Sequence, residues 1–231
     1  MAVVYLDESL LLNEKDIYYN KDKFDSGEIN LCFITGLSGS GKSTMSREMA
    51  KQKKIEHYQL DDLMCIKDNF TMSQLKQYGD LIYSFFNGRG KKYYLTEKEL
   101  NEKQIPGSDY EDSMFKDFIN HAKRYADSHK DRKYVIEGVW LICADDNGID
   151  YFKPSEFDDC AFYIKGTSLL ISKIRAANRD KEDAKYGKLG KALAVIRSVI
   201  RPKNWKYYYA DEQKLKKFRN YFKNKMKENK E

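Results

Sequence analysis

Phe33-Ile34-Thr35-Gly36-Leu37-Ser38-Gly39-Ser40-Gly41-Lys42-Ser43-Thr44 runs from an apolar stretch through a glycine-rich turn into a helical pattern. Residues 36–43 satisfy GxxxxGK[ST], and each part has a physical reason. Glycines permit backbone angles that turn successive N–H groups toward a phosphate and let it approach closely. The helix that opens near Gly41 directs its positive end at the same anion. Lys42 can reach the outer phosphates of a nucleotide, and the Ser43 hydroxyl can ligate magnesium. A chance match in a chain of this length is roughly a 1% event. Residues 36–44 are therefore expected to bind nucleotide phosphate.

Working outward, four short apolar runs read as buried parallel strands: Leu31–Ile34, a weaker Ile55–Leu60, Tyr134–Ile136 and Ala161–Ile164. Continuous rather than alternating hydrophobicity is what strands covered on both faces require. Helical patterns lie between them. Met45 and Met49 share one face, and Met114, Phe115, Phe118, Ile119, Ala122 and Tyr125 recur at three- and four-residue spacing. Ser108 with Glu111 and Thr96 with Glu99 have capping-box spacing, the latter before a stop at Pro106-Gly107. The expected fold is α/β, a three-layer doubly wound parallel sheet with a helical insertion over residues 62–132 between the second and third of these strands. That insertion is far longer than a crossover needs. Leu75, Tyr78, Ile82 and Phe86 within it are expected to be core rather than a base-stacking platform. Val3–Leu12 is compatible with an extra strand or hairpin, and the rest of the first 28 residues is left open. No repeat or linker divides the 231 residues, so one domain is expected.

Composition excludes several classes. With 41% hydrophobic and 34% charged residues the chain reads as soluble and globular. It has no run long enough to span a bilayer and no visible signal peptide. Cys32, Cys65, Cys143 and Cys160 form no paired motif, which suits a reducing cytoplasm and argues against structural zinc. The net charge of +6 equals that of Lys214–Glu231, with eight basic and two acidic residues, so the remainder is balanced. A basic C-terminal helix is expected. It is read as a solvated face in preference to a nucleic-acid grip.

The loop and its flanking strand resemble the P-loop kinases of small metabolites, in the style of uridine kinases and deoxynucleoside kinases. The resemblance covers roughly residues 30–62, 133–140 and 160–181. It implies ATP and Mg2+ as cofactors and a small-molecule phosphate acceptor, most simply a nucleoside or nucleotide. It places a base or magnesium partner at Asp61, with Asp62 in reserve, where the alternative is a helix cap. Glu137, ending an apolar strand, resembles the Walker-B acid and joins Ser43 as a metal ligand; a buried ion pair is the alternative. Arg175 and Arg179, four apart on one helix face, resemble lid arginines that meet the transferring phosphoryl group, with a lid over residues 181–191. Arg89, in Asn87-Gly88-Arg89-Gly90-Lys91-Lys92, is the candidate for acceptor recognition. The rival readings are a polynucleotide-end kinase, a zeta-toxin-like kinase of sugar nucleotides, and a nucleotide-responsive switch without catalysis. The absence of an Asn-Lys-x-Asp run favours ATP over GTP. Neither the acceptor's identity nor the oligomeric state follows from the sequence.

Overall fold

In the computed structural model the described residues are 14–52, 54–69, 74–93, 102, 107–143, 150–179 and 205–229. The strands are β1 (Ile17–Tyr19), β2 (Leu31–Thr35), β3 (Ile55–Gln59), β4 (Lys133–Glu137) and β5 (Ala161–Ile164). They form one five-stranded sheet in the order β1-β5-β2-β4-β3. β2, β3, β4 and β5 pair in parallel, and β1 closes the β5 edge antiparallel. The α/β class and the four parallel runs are as the apolar pattern predicts, except that Leu60 belongs to the following helix rather than to β3.

All residues of β2 and β5 are buried, because both sheet faces are covered. Successive side chains point to opposite faces, so each strand feeds two clusters. Leu31, Phe33, Tyr134, Ile136, Phe162 and Ile164 enter the larger one, and Cys32, Ile34, Val135, Ala161 and Tyr163 the smaller. On the smaller side lie α1 (Lys21–Ser26), through Phe24, and α2 (Lys42–Ala50), through Met45 and Met49. The larger side takes α5 (Gly107–Ser128), which buries Met114, Phe115, Phe118, Ile119 and Ala122. It also takes the last helix, α7 (Trp205–Glu228), through Leu215, Phe218 and Phe222.

The described residues of the insertion are mostly helical, as expected. It contains α3 (Leu60–Asn69), α4 (Asp80–Asn87), short 3-10 turns at Leu75–Tyr78 and Arg89–Tyr93, and α5. The Leu75–Phe86 periodicity is not one helix: Gly79, at φ 99°, divides the turn from α4. Leu75, Ile82 and Phe86 are nevertheless buried, and Phe85 joins α4 to α5 by an edge contact with Phe118 at 5.3 Å. α5 begins at Gly107, so Ser108 lies inside the helix and is not its cap. Val3–Leu12, the Thr96/Glu99 box and the lid at 181–191 lie outside the described residues.

β1 is the strand the sequence left open. Its three residues are too few for a period, and its hold is tertiary. Asp16 accepts hydrogen bonds from Lys165 Nζ and the Gly166 amide, both at 2.8 Å, and from the Tyr163 hydroxyl. The connection after β2 leads to one edge of the sheet, at β3, while that after β4 crosses β2 to reach β5. Such a reversal opens a crevice at the carboxyl ends of the strands. No helix among the described residues is long and apolar enough to cross a membrane.

Candidate functional site

The loop of residues 36–41 leaves β2 at this reversal and delivers the chain into α2. The Ser40 amide donates to the Leu37 carbonyl at 2.9 Å, and the Met45 amide donates to the Gly41 carbonyl at 3.1 Å as the helix begins. A helix offers its first amides without intrahelical partners, so the turn holding Lys42, Ser43 and Thr44 points donors at the crevice. Gly39 and Gly41 have φ of 82° and 94°, a region that disfavours other residues. They differ in what surrounds them. A Cβ on Gly39 would stand 2.3 Å from the Ser172 carbonyl and 2.9 Å from the Ala176 nitrogen, whereas one on Gly41 would meet nothing within 4 Å. The loop tip is thus pressed onto the backbone of α6 (Leu169–Arg179).

That contact places Arg175. Its Cβ would lie 3.2 Å from a Cβ on Gly39, and the side chain is exposed. Arg179 is the last residue of α6, one turn beyond; its side chain lies outside the described residues.

Glu137 ends β4 in register with Ile34 and Gln59. Its side chain is 2% exposed, and neither carboxylate oxygen has a hydrogen-bond partner. His57 Nε2 stands 3.5 Å from Oε1, beyond a good hydrogen bond, and is itself unpartnered. Among the described residues the buried ion-pair alternative is present as this loose contact, charged when His57 is protonated. β4 is tied to β2 beside the loop: the Gly138 amide donates to Ile34 at 3.1 Å, and Thr35 Oγ1 donates to Gly138 at 3.0 Å. Gly138 also admits α3, since a Cβ there would come within 2.9 Å of Leu60.

Leu60 brings Asp61 to the crevice. Asp61 Oδ1 accepts a hydrogen bond from Trp140 Nε1 at 2.9 Å, and the indole stacks on Phe115 with centroids 4.8 Å apart. Partial burial first, and then the charges of Asp61 and Glu137, hold the Asp62 carboxyl above its ordinary value, with His57 pulling the other way. Lys42 and Asp61 share one neighbourhood. Burial pushes the Cys143 thiol up to about 12, and the charged groups acting on it are Asp211, Lys214, Asp61 and Lys42. Asp211, on α7, is raised by burial and offset by Lys214 and Lys42.

Sequence reasoning missed Trp140 and Asp211. Trp140 carried a signal, since an indole three residues past the end of a strand needs a partner for its N–H; Asp211 carried none. Arg89 is exposed and its charge falls on Asp117 and His121 of α5, the His121 imidazole being lowered to about 4 by burial first, then by Arg124 and Arg89. Its described neighbours are thus in the insertion rather than around Glu137.

The residues present suit a phosphate-bound magnesium ion. Among the described residues no group of three or more His, Cys, Asp or Glu side chains could hold a metal. Mg2+ keeps several waters and takes one or two carboxylates plus substrate phosphates, and the unpartnered Glu137 with Ser43 matches that need. The chain matches no protein-family model, and a search of curated proteins finds no match.

Proposed function

We propose that this chain is a kinase of the P-loop NTPase class, moving the γ-phosphoryl group of ATP to a small acceptor, a nucleoside or nucleotide. The observation that carries the reading is a buried, unpartnered Glu137 beside the phosphate-loop strand, with an indole-oriented Asp61 at the neighbouring strand end. A bare nucleotide switch needs no such second acid.

The chemistry asks for positioning and charge stabilisation more than for covalent steps. The amides of residues 39–44 and the Lys42 ammonium cradle the donor's phosphates. Ser43 and Glu137 are the side chains that would hold a magnesium ion, which would supply charge neutralisation for the donor's phosphates. Arg175 supplies a planar guanidinium over the loop, where its donors meet oxygens that gain charge during transfer. Asp61 accepts the proton of the acceptor hydroxyl, and Trp140 keeps the carboxylate turned toward it.

Asp61→Asn tests this directly. Shape and size are kept while the base is removed, so acceptor-dependent ATP consumption should fall by about 10²- to 10⁴-fold. ATP should still stabilise the variant against heat. Full transfer activity in Asp61→Asn, measured with a panel of nucleosides and nucleotides, would sink the base assignment, and no transfer by the wild type to any of that panel would return the molecule to the switch reading.

A further inference from the structure

Arg89 belongs to a glycine-rich basic turn, residues 87–92, that the proposed reaction does not use. The turn is fixed against α5. Tyr93 donates its hydroxyl to Asp117 Oδ2 at 2.6 Å, and Lys92 Nζ pairs with the same oxygen at 2.7 Å. The Phe85 ring stacks on Tyr93 with centroids 6.2 Å apart and meets the His121 ring at 5.6 Å. A Cβ on Gly90 would come within 2.7 Å of that same Phe85 ring, so the turn lies close on it. Asp117, His121 and Arg124 follow at i, i+4 and i+7 on one face of α5. Arg89 and Arg124 therefore approach His121 from two elements. Burial first, and then the charges of Arg124 and Arg89, lower the imidazole to about 4, so it is neutral at pH 7.

Both arginines are exposed, and neither makes an ion pair among the described residues. The acid between their elements, Asp117, is already taken by Lys92 and Tyr93. Two like charges around one neutral ring repel each other, and an anion between them removes that cost. The place is well away from the crevice. α5 passes the crevice at Phe115, which stacks on Trp140, and then descends until Tyr125 meets Tyr134 near the start of β4. Arg124 thus stands about 13 Å along the helix axis from Phe115. We propose that Arg89 and Arg124 form a second phosphate-binding site, separate from the phosphate loop, for the phosphomonoester or diphosphate group of a small ligand. Planar forks grip phosphate oxygens in pairs, and two guanidinium groups carry more N–H donors than the two oxygens of one carboxylate can accept. The proposal does not rest on the kinase reading.

The test titrates the full-length protein with pyrophosphate at physiological salt, where diffuse attraction is screened. The imidazole resonances of the three histidines report where it binds. Those of His121 should shift saturably in the wild type and equally in Lys42→Ala, whose phosphate loop is disabled. Changing Arg89 and Arg124 together to Lys keeps the charge without the forks. Binding at His121 should then weaken about tenfold or more, the usual worth of a hydrogen bond between charged partners. Unchanged affinity in that double variant would reduce the place to diffuse charge and overturn the proposal. So would a pyrophosphate response confined to His57, beside Glu137, with His121 still. A His121 response to a single-stranded oligonucleotide with none to pyrophosphate would also overturn it, assigning the two arginines to a nucleic-acid backbone. Should the double variant fail to fold, Arg89→Lys and Arg124→Lys, each read alone by the same resonances, decide the matter.

Discussion

Glu137 illustrates how one residue can be held against stability. A carboxylate at 2% exposure with two unpartnered oxygens is unfavourable on its own, because desolvation penalises charge without compensation. A ligand cation would repay that penalty, which is why the group is informative. Glu137→Gln should therefore act in opposite directions on two measurements. The ligand-free protein should gain on the order of 1 kcal/mol in denaturant unfolding, the size usual when a destabilising functional group is neutralised. Magnesium-dependent stabilisation by ATP should be lost in the same variant. A loss of stability in the ligand-free protein would make the loose contact with His57 a structural ion pair instead.

At the scale of the element, β1 and the end of β5 depend on one carboxylate. Asp16 is partly buried, which by itself would raise it, yet hydrogen bonds from Lys165, Tyr163 and Gly166 hold it below the ordinary 3.8. A group lowered in the folded state contributes stability above its unfolded pKa, and that contribution is lost as pH falls through the folded pKa. Asp16→Asn should then cost no more than about 1 kcal/mol at pH 7, since the side chain is partly exposed and its ion pair screened. The difference from wild type should narrow in thermal unfolding as pH falls below the ordinary carboxylate value and be lost once pH has passed through the lowered folded-state value. A pH-independent difference would mean that Asp16 acts by shape alone. The same reasoning separates α6 from an ordinary surface helix: its backbone sits where a Gly39 side chain would be, so its position and that of the loop are set together.

For the whole molecule, the C-terminal helix is part of the core rather than an appendage. Leu215, Phe218 and Phe222 are buried, and Phe222 lies 4.7 Å from Phe162 and 4.8 Å from Tyr19, centroid to centroid. Fully exposing three such side chains costs about 5–9 kcal/mol, comparable with the entire stability of a domain. Deleting residues 214–231 should therefore unfold the protein, seen as loss of a cooperative thermal transition. The charge of the helix is better probed on its exposed lysines. Changing Lys216, Lys217, Lys223 and Lys227 together to Gln should leave small-acceptor turnover within about twofold, since surface changes of this kind are usually within about 0.5 kcal/mol. A collapse of activity toward an oligonucleotide end, with its salt dependence flattened, would instead favour the polynucleotide reading.

The chemistry legible in residues 33–44 rests on a local requirement: glycines at strained angles and a lysine in the first helical turn are needed within one short window. Buried strands and the period of α5 are legible for the same reason, as burial writes its pattern along the chain. Glu137 could be found because it ends an apolar strand, and Asp61 because it stands two residues past the end of another. What holds them could not. Trp140 reaches Asp61 across 79 residues, Arg219 meets Lys15 across 204, and Asp211 acts on Lys42 from the last helix. None of these pairs shares a periodicity or a turn, because long-range contacts arise only once the sheet order and the helix packing bring distant segments together. The sequence alone determined the α/β class and the loop; tertiary structure decided the edge strand, the indole that holds Asp61 and the burial that leaves Glu137 without a hydrogen bond.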